Sequence, residues 1–122
     1  MGNSTPIFKE YDIRGRVPEE LDEAVVERLG TAFARYLGEK GEQGAVIAGC
    51  DARLSTEALL RAFERGVLSE GFDVRDIGLS TSPLFYFSVA QSDAAGGAMI
   101  TASHNPAEWN GIKLVGRGGE SL

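Results

Sequence analysis

The sequence predicts an α/β domain of three layers, with a four-stranded mixed (mostly parallel) sheet between helices and its last strand antiparallel. Three observations carry this expectation. Short apolar runs alternate along the chain with longer stretches of helical periodicity. The segments joining the first three runs are long enough to hold a helical crossover, which parallel neighbours require. The final run follows its predecessor after a polar loop of about ten residues with no helical pattern, too short for a crossover and therefore suited to an antiparallel return.

Each element has its own local signal. In residues 20–37, Leu21, Val25, Leu29, Ala32, Phe33, Tyr36 and Leu37 recur at helical spacing. Pro18 suits the first turn, and Gly38 and Gly41 mark the stop. Residues 45–50 (AVIAGC) are a continuous apolar run, as in a strand buried on both faces. Ser55 is placed to cap a second helix whose stripe is Leu59, Phe63 and Val67, ended by Gly71. Residues 74–77 read as a strand, and Ser82-Pro83 as the cap and first turn of a third helix reaching about Ala90. Residues 97–100 form the third strand, residues 101–110 a loop, and about 112–115 the last strand. The glycines stand at segment ends, as turns and caps.

Composition narrows the function. A chain of 122 residues suits one domain over residues 1–122. A net charge of -6 argues against a nucleic-acid or anionic-membrane surface, though a pocket can be locally basic on an acidic protein. No apolar stretch approaches the roughly 20 residues of a membrane span. The first six residues lack the basic and apolar regions of a signal peptide, so Asn3-Ser4-Thr5 reads as a polar terminus and not a glycosylated sequon. The single cysteine, Cys50, cannot close an internal disulfide, which fits a reducing, cytoplasmic setting. One Cys and one His do not make a metal cage.

In open α/β sheets, functional loops gather at the carboxyl ends of strands. The loop after Ile100 is the polar one, holding the lone histidine and the lone tryptophan, with Lys113 just beyond it. A serine hydroxyl is a weak nucleophile without help from a base or charge. Around Ser103 stand His104, the amide of Asn105 and the cation of Lys113, and the backbone N–H groups of a tight loop can cradle an anion. That set suits phosphate on Ser103 better than an acyl group. The hydrolase elbow G-x-S-x-G is absent, and so is a Walker-type loop. Read without context, Ser-His-Asn-Pro equally makes a surface turn.

The motifs themselves are distinctive. Thr101-Ala102-Ser103-His104-Asn105-Pro106 resembles the active-site signature of the α-D-phosphohexomutase superfamily. Asn110-Gly111-Ile112-Lys113 is similar to the segment that follows it there. Phe8-Lys9-Glu10-Tyr11-Asp12-Ile13-Arg14-Gly15 resembles the opening of bacterial enzymes of the phosphomannomutase/phosphoglucomutase type, and Gly49-Cys50-Asp51-Ala52-Arg53-Leu54-Ser55 a third marker. The order and separations fit as well, over about residues 8–116.

The resemblance implies a four-domain enzyme of which this chain is the first domain, stopping before its final helix. Ser103 would carry a phosphoryl group, pass it to a hexose 1- or 6-phosphate, and recover the other phosphate from a hexose 1,6-bisphosphate intermediate. Mg²⁺ would touch the phosphoserine oxygen of Ser103 and be held by aspartates of a domain absent here. Lys113 would supply positive charge, and His104 would orient the serine or serve the sugar hydroxyl. Arg14 would bind phosphate, its alternative being a surface ion pair. Tyr11 would line the cleft, its alternative being a core position. Asn105 and Asn110 would shape the serine loop and the substrate site; Asp51 and Arg53 read as structural, and Trp109 as packing.

The expected partners are a hexose phosphate and the remaining mutase domains, without which the fragment alone should be inactive. A bare sheet edge or face would also favour pairing with a second copy. The competing reading is a non-catalytic sugar-phosphate binding or interaction module that keeps the motif.

Overall fold

The computed structural model describes residues 8–9, 12–16, 22–50, 56–101 and 109–120. The elements run β1 (Phe8–Lys9), β2 (Asp12–Arg16), α1 (Glu23–Glu39), β3 (Ala45–Cys50), α2 (Thr56–Ser69), β4 (Asp73–Leu79), α3 (Ser82–Ala90), β5 (Gly96–Ile100) and β6 (Trp109–Gly116). A short 3₁₀ turn, Arg117–Gly119, follows.

The four strands expected from the sequence form the mixed sheet. β3 pairs in parallel with β4 and β5, and β6 returns antiparallel to β5. Two N-terminal strands extend it, giving the order β1-β2-β6-β5-β3-β4. The sequence reading left residues 8–16 without a strand, because Asp12-Ile13-Arg14-Gly15-Arg16 offers a single apolar side chain and no run to recognise. Its pairing comes from β6, which it meets antiparallel with Ile13 opposite Ile112. The last strand is therefore interior to the sheet. The edge at β4 carries Asp73, Arg75 and Asp76 and a register shift, features that discourage edge-to-edge pairing.

The sheet separates two cores. On one face α1 and α2 pack together over Val46, Ala48, Ala98, Ile100 and Ile112. On the other, α3 places Phe85 and Val89 against Ile47, Met99 and Val115. Successive residues of β3, β5 and β6 thus serve opposite faces, which explains why β3 and β5 are buried throughout and read as unbroken apolar runs.

Helix boundaries follow capping chemistry. Asp22 caps α1, its Oδ1 accepting the Val25 N–H at 2.8 Å; the expected Pro18 lies outside the described residues. At the other end Glu42 N–H donates to the Leu37 carbonyl and Gly41 N–H to that of Gly38, a Schellman turn that Gly41 completes at φ 85°. The buried stripe of α1 is Val26, Gly30, Phe33, Ala34 and Leu37. Tyr36, expected in the stripe, is instead exposed under the Lys40 ammonium, 5.3 Å from its ring centre. The stripe of α2 is as expected, with Leu59, Phe63 and Val67 all buried; the expected cap, Ser55, lies outside the described residues. In α3 the cap is Thr81, not Ser82: Thr81 Oγ1 accepts from Leu84 N–H at 3.2 Å, which leaves Ser82 inside the first turn beside Pro83.

Candidate active site

The carboxyl ends of β3, β4 and β5 lie at one rim of the sheet, as parallel pairing requires. Cys50 stands in register with Ile100 on one side and Leu79 on the other. The Ser80 N–H extends the β3–β4 pairing by donating to the Cys50 carbonyl at 2.9 Å. Residue 101, buried at the end of β5, begins the serine segment. Its N–H donates to the Gly111 carbonyl at 2.8 Å, so the two ends of the segment from Thr101 to Gly111 are joined. Gly111 in turn stands in register with Arg14 of β2. Neighbouring strands are about 4.8 Å apart, so the backbones of Thr101, Gly111 and Arg14 form a row across three strands.

Lys113 is on β6, half-buried, opposite Met99 of β5 and Asp12 of β2. Asn110 belongs to β6, not to the loop as the sequence reading had it, and pairs with Gly15; Trp109 pairs with Arg16. Of the proposed site, the fold therefore gathers the backbones of Arg14, Asn110 and Lys113 onto two adjacent strands that flank the closed base of the serine loop. Ser103, His104, Asn105 and Tyr11 lie outside the described residues, as do Asp51 and Arg53. What sequence reasoning missed is β2 itself, the element that brings residue 14 beside residue 111.

Among the described residues no group of three His, Cys, Asp or Glu side chains could hold a metal ion. The described part of this domain does not by itself supply a Mg²⁺ site. No helix among the described residues is long and apolar enough to cross a membrane.

Comparison with known families gives a match to phosphoglucomutase/phosphomannomutase, alpha/beta/alpha domain I, over residues 5–122. The chain belongs to this family. Among relatives of the phosphoglucomutase/phosphomannomutase domain, a protein named phosphohexose mutases from Xanthomonas campestris pv. campestris is 49% identical over 110 residues, 90% of this chain and 24% of that protein. A phosphomannomutase from Salmonella typhimurium is 44% identical over 115 residues, 94% of this chain and 24% of its own length. A Klebsiella pneumoniae phosphomannomutase is 44% identical over 108 residues, 88% of this chain and 66% of that sequence. A solved structure titled as a putative phosphomannomutase from Thermus thermophilus superposes with a TM-score of 0.88 at 37% identity, over 97% of this chain and 27% of that one. The chain thus spans about a quarter of the length of most of these relatives.

Proposed function

We propose that this chain is the catalytic-serine domain of a cytoplasmic phosphohexomutase, with Ser103 as the group that carries phosphate between O1 and O6 of mannose or glucose phosphate. The observation that carries the reading is the closure of the serine segment by Thr101 N–H on the Gly111 carbonyl, beside β2, within a chain matched to the family's first domain. The base of the segment is tied at the rim where ligands of α/β sheets bind.

In the proposed cycle phosphoserine 103 meets a hexose 6-phosphate. The free sugar O1 attacks phosphorus, the Oγ–P bond breaks as the new O1–P bond forms, and the O1 proton leaves to a base, for which His104 is the candidate. The resulting 1,6-bisphosphate turns over in the cleft. Ser103 Oγ, protonated when it left in the first transfer, then gives up its proton and attacks the 6-phosphate; the O6–P bond breaks, O6 takes up a proton, and hexose 1-phosphate leaves with phosphoserine restored. Phosphoryl transfer rests on positioning and on charge neutralisation at the transferring oxygens. Lys113 and Arg14, on adjacent strands, are the cations proposed for that work, Arg14 through a bidentate grip on phosphate. Tyr11, Asn105 and Asn110 are proposed to line and shape the substrate site. The family's Mg²⁺ would meet the phosphate on Ser103, with its other ligands from a different domain. Turnover, on this reading, needs the remaining domains.

Mass spectrometry of the native protein tests this. Phosphate on Ser103 that exchanges with added glucose 1,6-bisphosphate in the full-length enzyme, and is lost with Ser103→Ala, is the expected result. A protein never phosphorylated at Ser103 that still binds hexose phosphates saturably would replace the mutase with a binding module.

A further inference from the structure

The β4 edge of the sheet holds a cluster that the proposed reaction does not use. Glu64 faces β4 from α2 and is 9% exposed, an unusual place for a glutamate. Its Oε1 accepts from Arg61 Nη1 at 2.8 Å. Its Oε2 is buried, and no donor reaches it among the described residues unless a proton lies between it and the neighbouring Asp76 carboxylate. The same Arg61 nitrogen also bonds Asp76 Oδ2. Two carboxyl groups from different elements thus share one guanidinium in a site where water does not cover the inner oxygen.

Asp76 has a second task. Its Oδ1 accepts the Gly78 N–H at 2.7 Å. At this point the β3–β4 pairing slips by one residue: Ala48 faces Asp76, Gly49 faces Gly78, and Ile77 is left over. This is a β-bulge, with Gly78 at φ 68°, a conformation that glycine adopts without strain. The bulge seats Ile77 on Gly49, where an added Cβ would stand 2.9 Å from Ile77 Cγ1. It also aims the end of β4 so that Ser80 N–H bonds the Cys50 carbonyl at the end of β3.

We infer that Glu64, Asp76 and Arg61 form a protonation-dependent latch: one proton shared between the carboxyl groups holds α2 to the bulge of β4, and its loss loosens the bulge. With the proton in place the cluster is neutral, one carboxyl acid, one carboxylate and one guanidinium. Without it two carboxylates compete for Arg61 in a half-dry site, where an unpartnered charge is costly. Burial, then the bond to Asp76, pushes Glu64 up to about 7, in spite of Arg61. Burial alone would raise Asp76, but the bonds from Glu64, Arg61 and Gly78 outweigh it and hold Asp76 below the ordinary range.

Several charged groups of the other packed elements are paired elsewhere. On α1, Glu23 and Glu27 meet Arg65; on β4, Arg75 meets Asp93; β3 and β5 carry no charged side chain. On α2 itself Glu57 reaches only the far nitrogen of Arg61, at 3.9 Å.

The test is a pair of NMR measurements on the whole chain. Carbon-13 titration of the Glu64 carboxyl should give a midpoint near neutrality, and in Asp76→Asn the midpoint should fall. The hydrogen-exchange protection factor of Gly78 N–H should drop severalfold as pH rises from about 6 to about 8, across the Glu64 transition. In Glu64→Gln, whose amide can donate to Asp76 at any pH, protection should stay constant over that range. A Glu64 midpoint in the ordinary carboxylate range, or a Gly78 protection factor that does not change with pH in the unaltered chain, overturns the latch. Either result is available from the unaltered chain even if a variant fails to fold.

Discussion

Gly66 of α2 lies so close to α1 that a Cβ on it would stand 2.1 Å from the carbonyl oxygen of Glu27. The approach is mutual, since a Cβ on Gly30 would stand 2.2 Å from the carbonyl oxygen of Phe63. The two helices cross backbone to backbone through a pair of glycines, and the atoms met are main-chain atoms that cannot turn aside.

Gly66→Ala should therefore lower stability, by about 1–3 kcal/mol, despite the better helix propensity of alanine. Gly38→Ala, in the same pair of helices, should do the opposite. A Cβ there meets only Phe72 Cε2 at 3.8 Å, so the gain of up to about 1 kcal/mol from a stiffer unfolded chain is uncancelled. Urea denaturation of the two variants checks both signs, and a stabilising Gly66→Ala would show that the helices can slide apart at little cost.

Capping supplies a second contrast. Thr81→Ala should cost about 1 kcal/mol because it orphans the Leu84 N–H, and Asp22→Ala should cost about as much at Val25. Ser82→Ala should cost less, since that hydroxyl makes only a long contact to Met99 Sδ at 3.8 Å. Equal losses for Thr81 and Ser82 in thermal unfolding would contradict the assigned cap.

The Glu64 contribution to stability should vary with pH in the direction opposite to that of an ordinary paired carboxylate. Glu64 is raised from 4.5 to about 7 in the folded chain, so its protonated form is favoured by folding. That contribution is whole below about pH 4.5 and is lost as pH climbs through about 7. Asp76 works the other way: held below its ordinary 3.8, it contributes above that value and its share disappears as pH falls through its lowered value. Between about pH 4.5 and 7 the Glu64 contribution should dominate this cluster, and Glu64→Gln should flatten the decline in melting temperature over that interval.

The cations of the proposed site should separate in kinetics once the full-length enzyme is assayed. Lys113→Ala should lower kcat by about 10²-fold, the usual scale for removing one charge-stabilising donor. Arg14→Ala should act mainly on KM, losing roughly 1.5–3 kcal/mol of phosphate binding. Unchanged kcat in Lys113→Ala, with the fold intact by circular dichroism, would remove Lys113 from the phosphate's surroundings.

Several features were legible in residues alone. The strand at 45–50 could be read because both of its faces are buried, so every side chain had to be small or apolar. The stripe Leu59, Phe63 and Val67 could be read because only one side of α2 meets the sheet. The serine segment was legible as polar residues placed after a strand. Other features left no local trace. β2 has one apolar residue, and its strand state comes from hydrogen bonds to β6. By residue type Ser82 is the better cap of the two, and the geometry of entry into α3 chose Thr81.

Sequence by itself therefore determined the alternation of helix and strand, the antiparallel return of the last strand, and the place of the polar serine segment after β5, because periodicity, crossover length and turn chemistry are local properties. Tertiary structure alone decided that residue 14 lies beside residue 111, that Gly30 and Gly66 bring two helices into backbone contact, and that the buried Glu64 shares Arg61 with Asp76. Those are relations between distant parts of the chain, set by packing and hydrogen bonding across elements, and no window of neighbouring residues encodes them.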